Sequence, residues 1–208
     1  MTAVIIANGQ YPRKAFPRYL VASADVVVCC DGALSSLEKQ GIIPAAVIGD
    51  MDSVCSKALE RFSGKVVRVA EQDTNDLTKA FNFVRAEYPE VDTVHFIGTT
   101  GRSEAHTIAN MSLLMEYQKE CPGIRMDMVS DHSSILALCD SDEIHVGKGR
   151  RISIFTPDNT LRIKSEGLVW PLDGVVFDNW WKGSLNLASA DAVSLTLNHK
   201  SMVLIVLD

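Results

Sequence analysis

The sequence predicts an α/β chain in two parts, an N-terminal Rossmann-like parallel sheet flanked by helices and an all-β C-terminal sandwich domain. Three observations lead there. Up to about residue 130, short β-rich apolar runs alternate with helical segments, the rhythm of a parallel sheet covered on both faces. Beyond it the helical period stops, and short strands follow one another between Gly, Asp, Asn and Pro. Two of those later runs, Arg-Ile-Ser-Ile-Phe at 151–155 and Val-Ser-Leu-Thr-Leu at 193–197, alternate with period two, as half-buried antiparallel strands do.

In chain order, strands are expected at residues 3–7, 26–30, 45–48, 65–69, 93–97 and 125–129. Helices are expected at 33–40, 53–62, 75–88 and about 105–120. The run Val26 to Cys30 is apolar throughout, which suits a strand buried on both faces. Gly41 stands where a helix is expected to end. In the second part, strands are expected at 135–139, 143–146, 151–155, 161–165, 192–197 and 202–207. The chain therefore reads as an α/β domain over 1–130 and a β-sandwich over 131–208. No repeat, low-complexity tract or linker separates them, so close packing is expected.

Bulk properties narrow the class. The 208 residues, 47% apolar and 22% charged, suffice for a proper core. A net charge of −6 gives no support for nucleic acid or a membrane surface as partner. The five cysteines are odd in number and unpatterned, which fits reduced core residues rather than a disulfide framework or a zinc site. No apolar stretch reaches the ~18 residues of a membrane span, and the N-terminal residues lack a basic n-region. A cytoplasmic location is the expectation.

The chemistry concentrates at predicted strand ends. Asp31 follows the run 26–30, and Asp50 and Asp52 follow 45–48 in Val-Ile-Gly-Asp-Met-Asp-Ser. Acidic side chains just past the carboxyl ends of strands lie where open α/β sheets bind ligands. Two residues apart in an extended segment, Asp50 and Asp52 point the same way. Such carboxylates repel unless a cation sits between them, and Mg²⁺ bound to substrate phosphates meets that need. Capping of the next helix is the plainer reading for any single Asp, but Asp73 and Asp76, past the strand 65–69, add to the same sheet edge. No Gly-x-Gly-x-x-Gly follows the first strand and no Gly-x-x-x-x-Gly-Lys-Ser/Thr occurs, which lowers dinucleotide redox enzymes and P-loop kinases. Asn8-Gly9 and Gly98-Thr99-Thr100-Gly101-Arg102 remain as loops able to approach an anion.

At these residues the chain resembles a known family. Asp31-Gly32-Ala33, Gly49-Asp50-Met51-Asp52-Ser53, Gln72-Asp73-Thr74-Asn75-Asp76-Leu77-Thr78-Lys79-Ala80 and the run from Gly101 to Asn110 look, in that order, like the motifs of thiamine pyrophosphokinases. Asn8-Gly9, Gly167-Leu168-Val169-Trp170-Pro171-Leu172-Asp173 and Gly183-Ser184-Leu185-Asn186 also resemble family segments. The resemblance implies a homodimer that transfers the pyrophosphoryl group of ATP to the hydroxyl of thiamine, giving thiamine diphosphate and AMP, with 1–130 as the nucleotide- and metal-binding catalytic domain and 131–208 as the thiamine-binding and dimerisation domain. The chain departs from the family's Arg-x-Asp-His-Thr-Leu-x-Asn: His106, Thr107 and Asn110 match, Ala105 stands at the Asp, and Arg102 is displaced by one. Asn75 stands where many members have Thr. Glu104 is then expected to supply the carboxylate missing at Ala105.

On that reading Asp50, Asp52 and Asp76 hold Mg²⁺, with Asp31 as a further ligand or an acceptor one layer out, and Asp73 as a weaker candidate. Gln72, Lys79 and Arg102 contact phosphates. His106 is either a base or a structural hydrogen-bonder. Thiamine, a cation with two aromatic rings, calls for aromatic faces. Trp180 and Trp181, with Ser184 and Asn186 beyond, are the candidate wall, which in the family can come from the partner subunit. Trp170 reads as core, and at least one of Trp180 and Trp181 as exposed if the segment is extended. His95, His132, His145 and His199 read as structural. The alternatives are an Mg²⁺-dependent phosphohydrolase, since clustered aspartates also suit hydrolysis, and a catalytically weakened thiamine-binding homologue.

Overall fold

The computed structural model describes residues 1–208, the side chain of Leu59 excepted. It divides into two compact units, Met1–Leu113 with Gly123–Asp131, and Leu114–Pro122 with His132–Asp208.

The first unit holds a parallel sheet of β1 (Thr2–Ile6), β2 (Val26–Cys30), β3 (Ala46–Gly49), β4 (Val66–Arg68), β5 (Thr93–Ile97) and β6 (Arg125–Val129), in the order β6-β5-β1-β2-β3-β4. Apolar side chains fill both faces, as parallel strands require. Val4 and Ile6 of β1, Cys29 of β2 and Val47 of β3 form one core with helices α1 (Ala15–Ser23), α2 (Leu34–Lys39) and α3 (Ser56–Arg61). Helix α4 (Asp76–Glu87) packs on β2 and β3, where its Phe81 meets Phe96 of β5 at 5.8 Å between ring centroids. Helix α5 spans Glu104–Glu120.

Helix α1 is absent from the sequence expectations. Its N-cap, Lys14, offers no side-chain cap, and Pro17 lies inside it. Proline is tolerated in a first turn because that N–H has no intrahelical partner. The capping acceptor comes from far along the chain: the Asp131 carboxylate accepts from the amides of Arg13 (2.9 Å) and Lys14 (2.8 Å). Two expected helices start later. A 3₁₀ turn at Asp31–Ala33 precedes α2, and α3 begins at Ser56.

In the second unit β7 (Ser134–Leu138), β13 (Val203–Leu207), β9 (Arg151–Phe155) and the short β11 (Asn186–Leu187) pair antiparallel in that order. A three-stranded sheet, β10 (Ile163–Glu166), β12 (Ala192–Leu197) and β8 (Asp142–His145), faces a shared core. That core includes Ile152, Ile154, Leu161, Ile163, Val193, Leu195, Val203 and Ile205, the two-layer sandwich expected. β12 keeps its alternation, but β9 does not: Ser153 is buried and its hydroxyl accepts from the amide of Leu185 at 2.9 Å. The buried hydroxyl is thereby satisfied. Among the described residues no helix is long and apolar enough to cross a membrane.

Candidate functional site

The strand order reverses at β1, which has β2 on one side and β5 on the other. The loops that leave β1 and β5 therefore run side by side at the sheet's carboxyl edge, the place where open α/β sheets form a ligand crevice. Ala7, Gly9 and Gln10 donate their amides to the carbonyls of Ile97, Gly98 and Thr100 at 2.8, 2.6 and 2.8 Å. Gly9 is required there: a Cβ would stand 2.2 Å from the Gly98 carbonyl oxygen and 2.6 Å from that of Thr100. A cavity of ≈ 500 Å³ opens at this point.

Asn8, Asp31, Asn75, Asp76, Arg102, His106 and Asn110, candidate residues in the sequence, line that cavity together with Gly9 and the loop residues Gly98, Thr99 and Thr100. Arg102 reaches back across it, its Nη1 donating to the carbonyl oxygen (3.1 Å) and the side-chain Oδ1 (2.7 Å) of Asn8. Buried Asn110 uses its amide to hold the β5 loop, donating to the Thr99 carbonyl at 2.8 Å. Asn75 caps α4, its side chain accepting from the amide of Thr78 at 2.9 Å, which fixes Asp76 as the first helical residue.

Asp31 is buried, and its carboxylate accepts from the amides of Gly32 and, at 3.0 Å, Met51. Burial, with the like charge of Asp76 adding, raises its pKa despite those two donors. Met51 holds a left-handed φ of 72°, costly for a residue with a Cβ; the strained turn presents the amide that Asp31 takes. Asp50 lies just outside the lining. Its Oδ1 accepts from the amide of Asp52 (3.0 Å) and its Oδ2 from Gln72 Nε2 (3.3 Å), and these donors lower its pKa. Lys79 is buried with its ammonium 3.4 Å from Asp76 Oδ1.

Asp52, Asp73 and Glu104 are exposed and do not line the cavity. Glu104 and Ala105 open α5 on its outer side, while their neighbour Ser103 turns inward, its hydroxyl accepting from the amide of His106 at 3.4 Å. Ser103, Ser53 and Cys30 are lining residues to which no role is assigned from the sequence. Cys30 is signalled by its place between a buried run and Asp31, and burial pushes its thiol well up. The expected tight cluster of carboxylates is not preformed: among the described residues no group of three or more His, Cys, Asp or Glu is arranged to hold a metal ion. The donors are all hard carboxylate oxygens, and Asp31 and Asp76 oppose each other electrostatically. In kind they fit a hard cation that completes its shell with phosphate and water oxygens.

In the second unit Trp180 and Trp181 lie in a 3₁₀ turn, Trp180–Gly183, not in an extended segment. Both indoles are consequently exposed, and Trp180 is steadied by Phe155 at 5.9 Å between centroids. Trp170, expected in the core, is 59% exposed. The buried Asn186 side chain donates to the Trp170 carbonyl (2.6 Å) and accepts from the amides of Trp170 (3.2 Å) and Leu187 (2.8 Å). It holds that segment in place. The Ser184 hydroxyl donates to the Trp181 carbonyl at 2.7 Å.

A model of the thiamin pyrophosphokinase catalytic domain matches residues 17–126, and one of the thiamin pyrophosphokinase substrate-binding domain matches residues 135–204. Among solved structures, thiamine pyrophosphokinase from Bacillus subtilis is similar at 20% identity over 100% of this chain and 99% of that one, with a TM-score of 0.79. A thiamin pyrophosphokinase family protein from Enterococcus faecalis matches at 16% identity over 100% and 99%, with a TM-score of 0.82. Yeast thiamin pyrophosphokinase matches at 13% over 100% and 86%, also with a TM-score of 0.82. At such identities these likenesses speak for the fold. No curated protein matches the chain. The catalytic-domain model alone covers more than half of the sequence, and the chain belongs to the thiamin pyrophosphokinase family.

Proposed function

We propose that this chain transfers the pyrophosphoryl group of ATP to the primary hydroxyl of thiamine, giving thiamine diphosphate and AMP. The observation that carries the reading, beyond family membership, is the cavity at the β1/β5 reversal, which gathers Asn8, Asp31, Asp76, Arg102 and His106. The hydroxyl oxygen attacks the β-phosphorus, the bond to the bridging oxygen of AMP breaks, and the hydroxyl proton passes to a base. Such transfer needs positioning and charge neutralisation more than covalent help.

Asp31 and Asp76, with Asp50 and Asp52 approaching as substrate binds, are the residues that would hold Mg²⁺, which when bound neutralises charge on the phosphate oxygens. Arg102 offers its remaining N–H groups to phosphate while Asn8 keeps its guanidinium in place. Lys79 balances Asp76, and Gln72 orients Asp50. The exposed indoles of Trp180 and Trp181 offer faces for a thiazolium cation.

Val169, Trp170, Trp180, Trp181 and Leu185 leave large apolar side chains exposed on the second unit, which supports a homodimer. Sedimentation at micromolar concentration checks this, and a species of only 22.8 kDa overturns it. A cytoplasmic location goes with the buried free thiols of Cys29, Cys30 and Cys121.

Incubation with ATP, Mg²⁺ and thiamine tests the activity. AMP and thiamine diphosphate formed only when thiamine is present are expected. Phosphate release that ignores thiamine would instead identify a phosphohydrolase, and thiamine binding without turnover a binding homologue.

A further inference from the structure

The first turn of α1 and the last turn of α2 enclose, with the loop after β1, a cavity of ≈ 220 Å³ that the catalytic cavity does not include. Tyr11, Pro12, Arg13, Arg18, Ser36, Lys39 and Gln40 line it. Three basic residues and no acidic one are among its lining residues, in a chain of net charge −6. No acidic residue precedes Asp25. Two neighbouring acids already have partners. Glu38, beside Lys39 in sequence, is ion-paired with Arg61 at 2.7 Å. The Asp131 carboxylate is taken by the backbone amides of Arg13 and Lys14.

Among the described residues Arg13, Arg18 and Lys39 form no ion pair, and the Arg18 guanidinium donates only to Gln40 Oε1 at 3.3 Å. Like charges held together without counter-charge repel. Tyr11 forms the inner wall, its ring packed against the core beneath α1 and α2, which leaves its hydroxyl as a donor. Ser36 adds another. Two planar guanidinium forks, an ammonium and two hydroxyls make a set of donors suited to an oxyanion.

We propose that this cavity is a second anion site, separate from the catalytic cavity, that takes a small multivalent oxyanion of the phosphate or diphosphate class. Its second effect rests on the function proposed above. Arg13 and Tyr11 continue the loop of Asn8, Gly9 and Gln10, whose amides bond the β5 loop and whose Asn8 holds Arg102. An anion bridging Arg13 to Arg18 and Lys39 fixes that loop against α1 and α2. It thereby steadies the Asn8–Arg102 contact and lowers the KM for ATP.

The test titrates inorganic phosphate, and separately inorganic pyrophosphate, at constant ionic strength into wild type and an Arg18→Gln/Lys39→Gln double variant. Arg13→Gln, which lies outside both helices, serves as a second variant, and thermal melts confirm that all are folded. Wild type is expected to bind one more anion than the double variant, or the same anion at least about tenfold more tightly, the loss expected for removed charge-assisted bonds. The probe with the larger difference names the preferred anion. Identical titrations in wild type and both variants overturn the site, because the anion then occupies the catalytic cavity alone.

Steady-state assays form the second arm. Without added anion the double variant is expected to match wild type, and added anion is expected to lower the KM for ATP in wild type only. A titration difference with no effect on KM overturns the coupling. Because the titration needs no turnover, an inactive protein that still shows the difference refutes the kinase reading and leaves the anion site standing.

Discussion

Arg102 Nη1 lies 2.7 Å from Asn8 Oδ1 and 3.1 Å from the Asn8 carbonyl oxygen, so one guanidinium nitrogen ties the loop after β1 to the loop after β5. The two residues are 94 apart in sequence and adjacent only because β1 and β5 are neighbours in the sheet. Family members carry their arginine one position away, yet here the displaced side chain still lines the cavity.

If this contact positions the guanidinium, Arg102→Ala should raise the KM for ATP about tenfold to a hundredfold, the loss expected for charge-assisted bonds. Asn8→Ala should produce part of the same loss. A double-mutant cycle on kcat/KM is expected to show a coupling of at least about 0.5 kcal/mol. Strict additivity would mean that the contact does not position Arg102.

Lys79 and Asp76 should separate stability from activity. The Lys79 side chain is 3% exposed and that of Asp76 38%. Asp76→Ala leaves a buried ammonium without its ion-pair partner, and a loss of about 1–3 kcal/mol in urea unfolding is expected. Lys79→Met removes the charge and keeps the apolar stem, so stability should stay within about 1 kcal/mol of wild type. AMP formation should fall at least about a hundredfold in both variants.

Gly49 faces Asp31 at close quarters. A Cβ at 49 would lie 2.7 Å from Asp31 Cγ and 2.9 Å from its Cβ. Gly49→Ala should therefore displace the carboxylate, costing about 1–3 kcal/mol of stability and most of the activity. Gly64→Ala, with nothing within 4 Å, is the matched control and should leave both intact.

A pH effect is expected in the second unit. Asp158 accepts from the Thr160 hydroxyl (2.6 Å), His199 Nε2 (2.8 Å) and the Ser201 hydroxyl (2.9 Å). These bonds, the Thr160 hydroxyl foremost, hold its carboxyl well below the ordinary 3.8. A depressed carboxylate pKa stabilises the fold above the unfolded value and loses that contribution as pH falls toward the folded one. The Tm difference between wild type and Asp158→Asn should be full near neutrality and shrink below about pH 4. A difference that grows in acid would contradict the assignment.

Much of this site is legible in the residues alone. Val26–Cys30 and Thr93–Ile97 are strands at the expected positions, because β-branched runs buried on both faces read plainly in sequence. Asp31 and Asp76 follow from the same logic, since each directly follows a strand or a capping Asn. Helix starts are less legible: a 3₁₀ turn replaces the expected beginning of α2, and the turn at Met51 delays α3. Trp170 reads as core in sequence but is exposed, because an apolar run carries no mark of which side it shows to solvent. Asn186 reads as a ligand contact, whereas its amide is spent on the backbone of Trp170 and Leu187.

Local periodicity and side-chain shape suffice to say which segments are strands, that the first half is parallel α/β, and which carboxylates stand at strand ends. The pairings between distant positions come from the assembled fold. Strand order places Asn8 beside Arg102, and the Asp131 carboxylate supplies the cap that α1 lacks in its own residues. The fold also turns Glu104 outward while Ser103 faces the cavity. Local preference is set within a few residues and survives in any context, whereas a hydrogen bond across a hundred residues exists only once the sheet has brought its two ends together.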